Sequence, residues 1–126
     1  MPDVLRAHSL QVTTDAVSEA GDVTTPDPLK GLLYEVKWID GTFDDSVDAV
    51  LSVVAHGNVP KRALLTLTAA NDDAVYQPRQ QGVGPTGAVI AGVYDYPIVD
   101  GKLILEVTDG GSAKTGGMEV FILENA

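Results

Sequence analysis

Two glycine-rich stretches hold the residue types that most often do chemistry on phosphates. Gly82-Val83-Gly84-Pro85-Thr86-Gly87 carries the spacing G-x-G-x-x-G. In dinucleotide-binding proteins that spacing sits between a strand and a helix whose N-terminus holds the pyrophosphate. Here Pro78 ends the preceding strand early and no helical pattern follows Gly87, so a surface loop is expected. Gly110-Gly111-Ser112-Ala113-Lys114-Thr115-Gly116 contains the Lys-Thr pair of a phosphate-binding loop. Ala113 stands where that loop needs glycine, and Val120-Phe121-Ile122 continues as strand, so a loop between antiparallel strands is the reading.

Other chemistries lack their parts. Asp40, Asp44, Asp45 and Asp48 form the densest acidic cluster, and hard cations take carboxylate oxygens. The cluster has neither the central glycine nor the terminal glutamate of an EF-hand, and it reads as turn residues on a solvated acidic surface; Asp72-Asp73 reads the same way. His8 and His56 are far apart, and without cysteine neither a disulfide nor a thiolate metal site can form. No serine lies in a G-x-S-x-G nucleophile elbow. The expectation is a non-enzyme with no catalytic, cofactor-binding or metal-binding residues.

The elements that would position any site are strands. Val4 to Thr14 alternates, with His8, Leu10 and Val12 against Ser9, Gln11 and Thr13. Asp15 to Lys30, with Pro26 and Pro28, reads as a linker, so residues 1–30 are expected to form an extended N-terminal arm. The body, 31–126, opens with a strand whose Leu32, Tyr34, Val36 and Trp38 would share one face, closed by Asp40-Gly41. Val47 to Ala55 and Arg62 to Ala69 follow as strands, then a short one at Ala74 to Pro78. Helical spacing also fits Asp44 to Val54, but its valine content favours strand.

Arg79 to Gly92 reads as an irregular stretch with one apolar patch, Ala88-Val89-Ile90. Ile98-Val99 and Lys102 to Thr108 flank Asp100-Gly101 as a two-residue hairpin would, Asp109 to Gly117 reads as a flexible loop, and Met118 to Leu123 is the last strand. About seven strands without a helix predict an all-β fold, a single-domain β-sandwich or barrel.

A chain of 126 residues, 44% hydrophobic and 21% charged, suits one soluble domain with its own core. The net charge of −10 repels phosphate backbones and argues against nucleic-acid or anionic-membrane partners. No apolar run reaches membrane-spanning length, and the N-terminus does not read as a secretory signal.

Three stretches carry a family resemblance. They are Gly31-Leu32-Leu33-Tyr34 with Asp40-Gly41, then Leu64 to Thr68 running into Asn71-Asp72-Asp73-Ala74-Val75-Tyr76-Gln77-Pro78-Arg79, and Pro97 to Leu105 with Ala113-Lys114-Thr115-Gly116-Gly117. Together, over residues 31 to 123, they resemble small proteins encoded among the head genes of tailed bacteriophages, commonly head decoration (cement) proteins.

The resemblance implies a structural virion protein, made in the bacterial host cytoplasm, that binds the outer capsid surface and reinforces it. Its implied partners are the major capsid protein and further copies of itself, with a trimer as the first guess. The interface is expected from arm residues Val4, Leu5, Leu10 and Val12, and from Tyr76 and Arg79, since Tyr and Arg are favoured anchors. For Tyr76 and Arg79 the alternative is a core tyrosine and a solvated arginine. A ring-forming head-completion or tail component is one alternative function. A carbohydrate- or receptor-binding module using Tyr94-Asp95-Tyr96 is another.

Overall fold

The computed structural model describes residues 3–125. Among them are eleven strands and no helix, so the protein is all-β. The strands are β1 (Asp3–Thr13), β2 (Gly21–Thr24), β3 (Leu29–Ile39), β4 (Asp48–Val53), β5 (Arg62–Leu67), β6 (Ala74–Tyr76), β7 (Gln80–Val83), β8 (Val89–Asp95), β9 (Ile98–Gly101), β10 (Leu103–Thr108) and β11 (Thr115–Asn125). One sheet runs β1-β11-β3, with β6 and β9 both on the far side of β3; the other runs β2-β10-β4-β5. β7 and β8 pair only with each other.

Alternation in the sequence builds the core between the two sheets. From the first sheet come Leu10, Val12, Leu33, Val36, Trp38, Val99, Met118, Val120 and Ile122; from the second come Ala49, Leu51, Val53, Leu67, Leu103, Leu105 and Val107. Each fully buried Val, Leu or Ile contributes about 1.5–3 kcal/mol relative to exposure. Trp38 stacks on Phe43 at 5.7 Å and donates its Nε1–H to the Ala70 carbonyl at 2.9 Å, so its one polar atom is satisfied inside.

The segment expected as an arm is built into the body. β1 pairs with β11 from Asp3↔Asn125 to Thr13↔Thr115, which buries Leu10 and Val12, and β2 pairs with β10. Between them Asp15 turns the chain: its carboxylate accepts the backbone N–H groups of Val17 (2.7 Å) and Ser18 (3.0 Å). The loop after β10 is also tied down. The buried Thr14 hydroxyl donates to the Gly111 carbonyl at 2.6 Å and accepts from the Lys114 amide at 2.8 Å.

Two local readings change. Asp100-Gly101 is not a hairpin turn: both residues belong to β9, paired with Lys30 and Leu29 of β3 in one sheet, while β10 lies in the other, so the chain crosses the sandwich at Lys102. Gly101 lacks the positive φ of that turn; its missing side chain instead makes room for His56, whose ring lies 3.3 Å from where a Cβ would sit.

Second, β3 carries a bulge. Glu35 pairs with Phe121 but Leu33 with Ile122, so Tyr34 is an extra residue. One extra residue reverses the alternation. Leu33 therefore joins Val36 and Trp38 inside, and Leu32 turns outward.

Candidate functional site

The stretch from Arg79 to Gly92, unassigned by periodicity, contains the most unusual feature of the surface. β7 and β8 form a two-stranded ribbon that hydrogen-bonds to neither sheet. Its turn is closed by Gly84 N–H to the Ala88 carbonyl (2.8 Å) and Gly87 N–H to the Gly84 carbonyl (2.9 Å), with Gly87 at φ +82°. The G-x-G-x-x-G letters thus serve a hairpin turn, and Gly87 leads into a strand.

Every residue of β8 is exposed. Val89 and Ile90, neighbours on opposite strand faces, are 60% and 46% exposed, so neither face of the ribbon is covered. Val83, Val93 and Tyr94 are also exposed. From Gln80 to Tyr94 there is no charged residue, in a chain of net charge −10. An isolated two-stranded hairpin is marginal in water, and exposed contiguous apolar surface marks an interaction site.

The root of the ribbon is clamped. Arg79, just before β7, places its guanidinium 4.1 Å from the ring centroid of Tyr96, just after β8. Tyr96 stacks on Tyr34 at 5.9 Å, and Arg79 Nη1 donates to the carbonyls of Tyr34 (3.1 Å) and Pro78 (2.7 Å). Tyr34 is the bulged residue of β3, so the irregularity in that strand supplies both the aromatic face and the acceptor that hold the ribbon to the body.

Beside this root, an apolar row crosses the outer face of the first sheet. Ile98 of β9 stands opposite Leu32 of β3, Leu32 opposite Leu123 of β11, and Leu123 opposite Leu5 of β1. Directly opposed residues point to the same side of a sheet. Leu5 and Ile98, at the two ends, are 47% and 55% exposed, and Leu32 and Leu123 are partly so.

The anticipated interface residues are therefore dispersed. Leu5 lies in this row and Val4 is half-buried; Leu10 and Val12 belong to the core. Tyr76, half-buried, packs against the core, and Arg79 is engaged at the ribbon root. Tyr94-Asp95-Tyr96 is divided: Tyr94 is free on the ribbon while Tyr96 is held in the clamp. Val83, Val89, Ile90 and Val93 were not singled out as interface residues, although the fifteen uncharged residues around them were a readable signal.

Among the described residues the charged groups show no converging chemistry. His8 Nε2 lies 3.0 Å from Glu124 Oε2, with Arg6 Nε at 4.0 Å. Asp40 sits near Asp45, Asp72 and Asp73; partial burial, then repulsion from those carboxylates, raises its carboxyl above the usual range. Among the described residues no three His, Asp or Glu side chains are arranged to hold a metal ion.

These features define an all-β sandwich carrying a separate two-stranded ribbon that is uncharged from Gln80 to Tyr94. No protein-family model, curated protein or solved structure matches the chain.

Proposed function

We propose that the chain is a structural, protein-binding component of a virus particle: a decoration (cement) protein that docks on the outside of a tailed-phage capsid shell and reinforces it. The observation that carries this reading is the ribbon β7–β8, which leaves apolar side chains uncovered on both faces while its root is held rigidly to the body. Fixing the root in advance lowers the ordering cost of docking, as a grip requires. The ribbon carries no basic residue and is uncharged from Gln80 to Tyr94, which favours a protein surface over a phosphate backbone or an anionic membrane. The resemblance of residues 31–123 to head-gene proteins supplies the phage setting.

The test is co-sedimentation of the purified protein with expanded capsid shells of a tailed phage that encodes it, followed by heating of the decorated shells. Saturable binding and a raised shell-disruption temperature are expected. Ile90→Asp with Val93→Asp should abolish both. Failure of the wild-type protein to bind such shells overturns the reading.

A further inference from the structure

We infer that the outer face of the first sheet is the second half of the docking surface: the partner that takes the ribbon also covers the apolar row Ile98–Leu32–Leu123–Leu5, and the second sheet faces away from it. This rests on the reading of the ribbon as a grip on a capsid shell, and it adds the orientation in which the body sits.

Exposed apolar side chains are divided unequally between the two outer faces. Leu5, Ile39, Val75 and Ile98, all on the first sheet, are exposed. Along β11 the outward positions are Gly117, Glu119, Phe121 and Leu123, alternating with buried Met118, Val120 and Ile122. Ile39 stands opposite Gly117, and Val75 opposite Lys37, which is itself opposite Glu119. All four exposed side chains therefore share the face of the row.

The outer face of the second sheet is of another kind. Among the described residues none of β2, β4, β5 or β10 exposes a large apolar side chain. Asp22 stands directly opposite Glu106 there, and Lys61 pairs with Glu106. On the first sheet's face the charges sit in opposed pairs, Lys30 with Asp100 and Lys37 with Glu119, while Glu35 accepts from the Gln77 amide at 3.3 Å. Covering that face removes apolar surface from water and leaves its lysines paired, whereas covering the other buries carboxylates for little apolar gain.

Continuity with the ribbon selects the occupant. Ile98 comes two residues after Tyr96, and Leu32 two residues before Tyr34, the pair whose stacked rings hold the ribbon's root. The clamp makes ribbon and row neighbours on one rigid surface, so a partner seated at the root is brought against Ile98 and Leu32. Area points the same way. Strands rise about 3.4 Å per residue and lie about 4.8 Å apart, so β8 and its partner strand offer roughly 200 Å² in plan on each face. A specific interface buries about 800 Å² per partner, more than the ribbon supplies alone. The first sheet, eleven residues long at β3 and four strands across, adds about 700 Å².

Two double variants add the same charge to opposite faces: Leu5→Asp with Ile98→Asp on the first sheet, and Thr66→Asp with Thr108→Asp on the second. All four side chains are exposed, and circular dichroism with thermal melting establishes that each variant is folded. Co-sedimentation with expanded shells then reads affinity. The first-sheet variant should bind about tenfold more weakly than the wild type, or worse, although its ribbon is intact. The second-sheet variant should bind as the wild type does. Amine acetylation read by peptide mass spectrometry needs no substitution: on shell binding Lys30 and Lys37 should lose most of their reactivity while Lys61 keeps it.

Undiminished binding by the first-sheet variant, or protection of Lys61 in place of Lys30 and Lys37, overturns the inference and leaves the ribbon's role standing. Sedimentation velocity covers the other occupant. If the wild type self-associates, the first-sheet variant does not, and both bind shells equally, the row belongs to a second copy and the inference falls. A wild type that binds no shell is a separate result: it removes the capsid reading itself.

Discussion

Arg79 and Tyr96 immediately flank the ribbon, and the guanidinium carbon of one lies 4.1 Å from the ring centroid of the other. A cation–π contact of this kind is worth about 0.5–2 kcal/mol, and here Arg79 also donates to the carbonyls of Tyr34 and Pro78. Arg79→Ala should therefore accelerate amide exchange across residues 80–95 while leaving exchange in β4 and β10 unchanged. Arg79→Lys should give an intermediate effect, since an ammonium keeps the charge but cannot reproduce the planar fork. Equal acceleration throughout the sandwich would show that the clamp supports the whole fold rather than the ribbon.

The ribbon itself should be dispensable for folding. Gln80 and Asp95 are paired, so a short glycine-containing turn can replace the strands between Arg79 and Tyr96. Because β7 and β8 bond only to one another, the shortened protein is expected to keep its melting temperature within a few degrees, measured by calorimetry, and to be more soluble.

In the core, the Trp38 indole N–H satisfies the Ala70 carbonyl and its ring fills the space against Phe43. Trp38→Phe removes the donor and part of the ring. A loss of about 2–4 kcal/mol in urea unfolding is expected, combining an orphaned acceptor with a cavity.

Gly41 should tolerate no side chain. It sits at φ +57°, and a Cβ there would approach the Thr115 carbonyl oxygen to a sub-contact distance. Gly41→Ala is expected to cost more than about 1 kcal/mol in the same assay. An unchanged midpoint would mean that the β3–β4 turn and the start of β11 can separate.

Two carboxylates push pH dependence in opposite directions. Asp40 has a raised native value, from partial burial first and then Asp45, Asp73 and Asp72. The native state therefore binds more protons than the unfolded chain, and this group's contribution falls as pH rises through the acid range toward the raised native value. Asp15 is lowered by the backbone amides of Ser18 and Val17; its contribution is present above the ordinary Asp value and is lost as pH falls through the lowered native one. Asp40→Asn should accordingly raise stability at neutral pH, by less than about 1 kcal/mol given its solvent exposure. Asp15→Asn should flatten the acid side of the stability curve. Thermal melts across the acid range distinguish the two.

The strands that face the core were legible because one of their faces is buried and the period of two survives in the residues: Ala49, Leu51 and Val53, or Leu103, Leu105 and Val107. The first thirty residues were harder. Their linker-like composition reflects the turn at Asp15 and the short β2, and pairing with β11, over a hundred residues away, leaves no local mark. Asp100-Gly101 misled for a related reason: a turn signal is local, whereas the choice between pairing with β10 and pairing with β3 is made by distant strands. The ribbon escaped because both its faces are exposed, so no hydrophobic alternation was imposed on it. Its one readable trait was the run without charge from Gln80 to Tyr94.

The extra residue at Tyr34 has a consequence for how this chain tolerates change. Before it, even-numbered positions of β3 face out; after it, they face in. β3 is thus written in two reading frames joined at one residue. Substitutions within either frame alter a single contact, whereas removing Tyr34 alone would exchange inside for outside along half the strand. Leu32 would enter the core, Leu33 would surface, and the ribbon would lose its anchor together with the row beside it. Length at this point of the chain, more than side-chain identity, is what keeps the interior and the docking surface distinct.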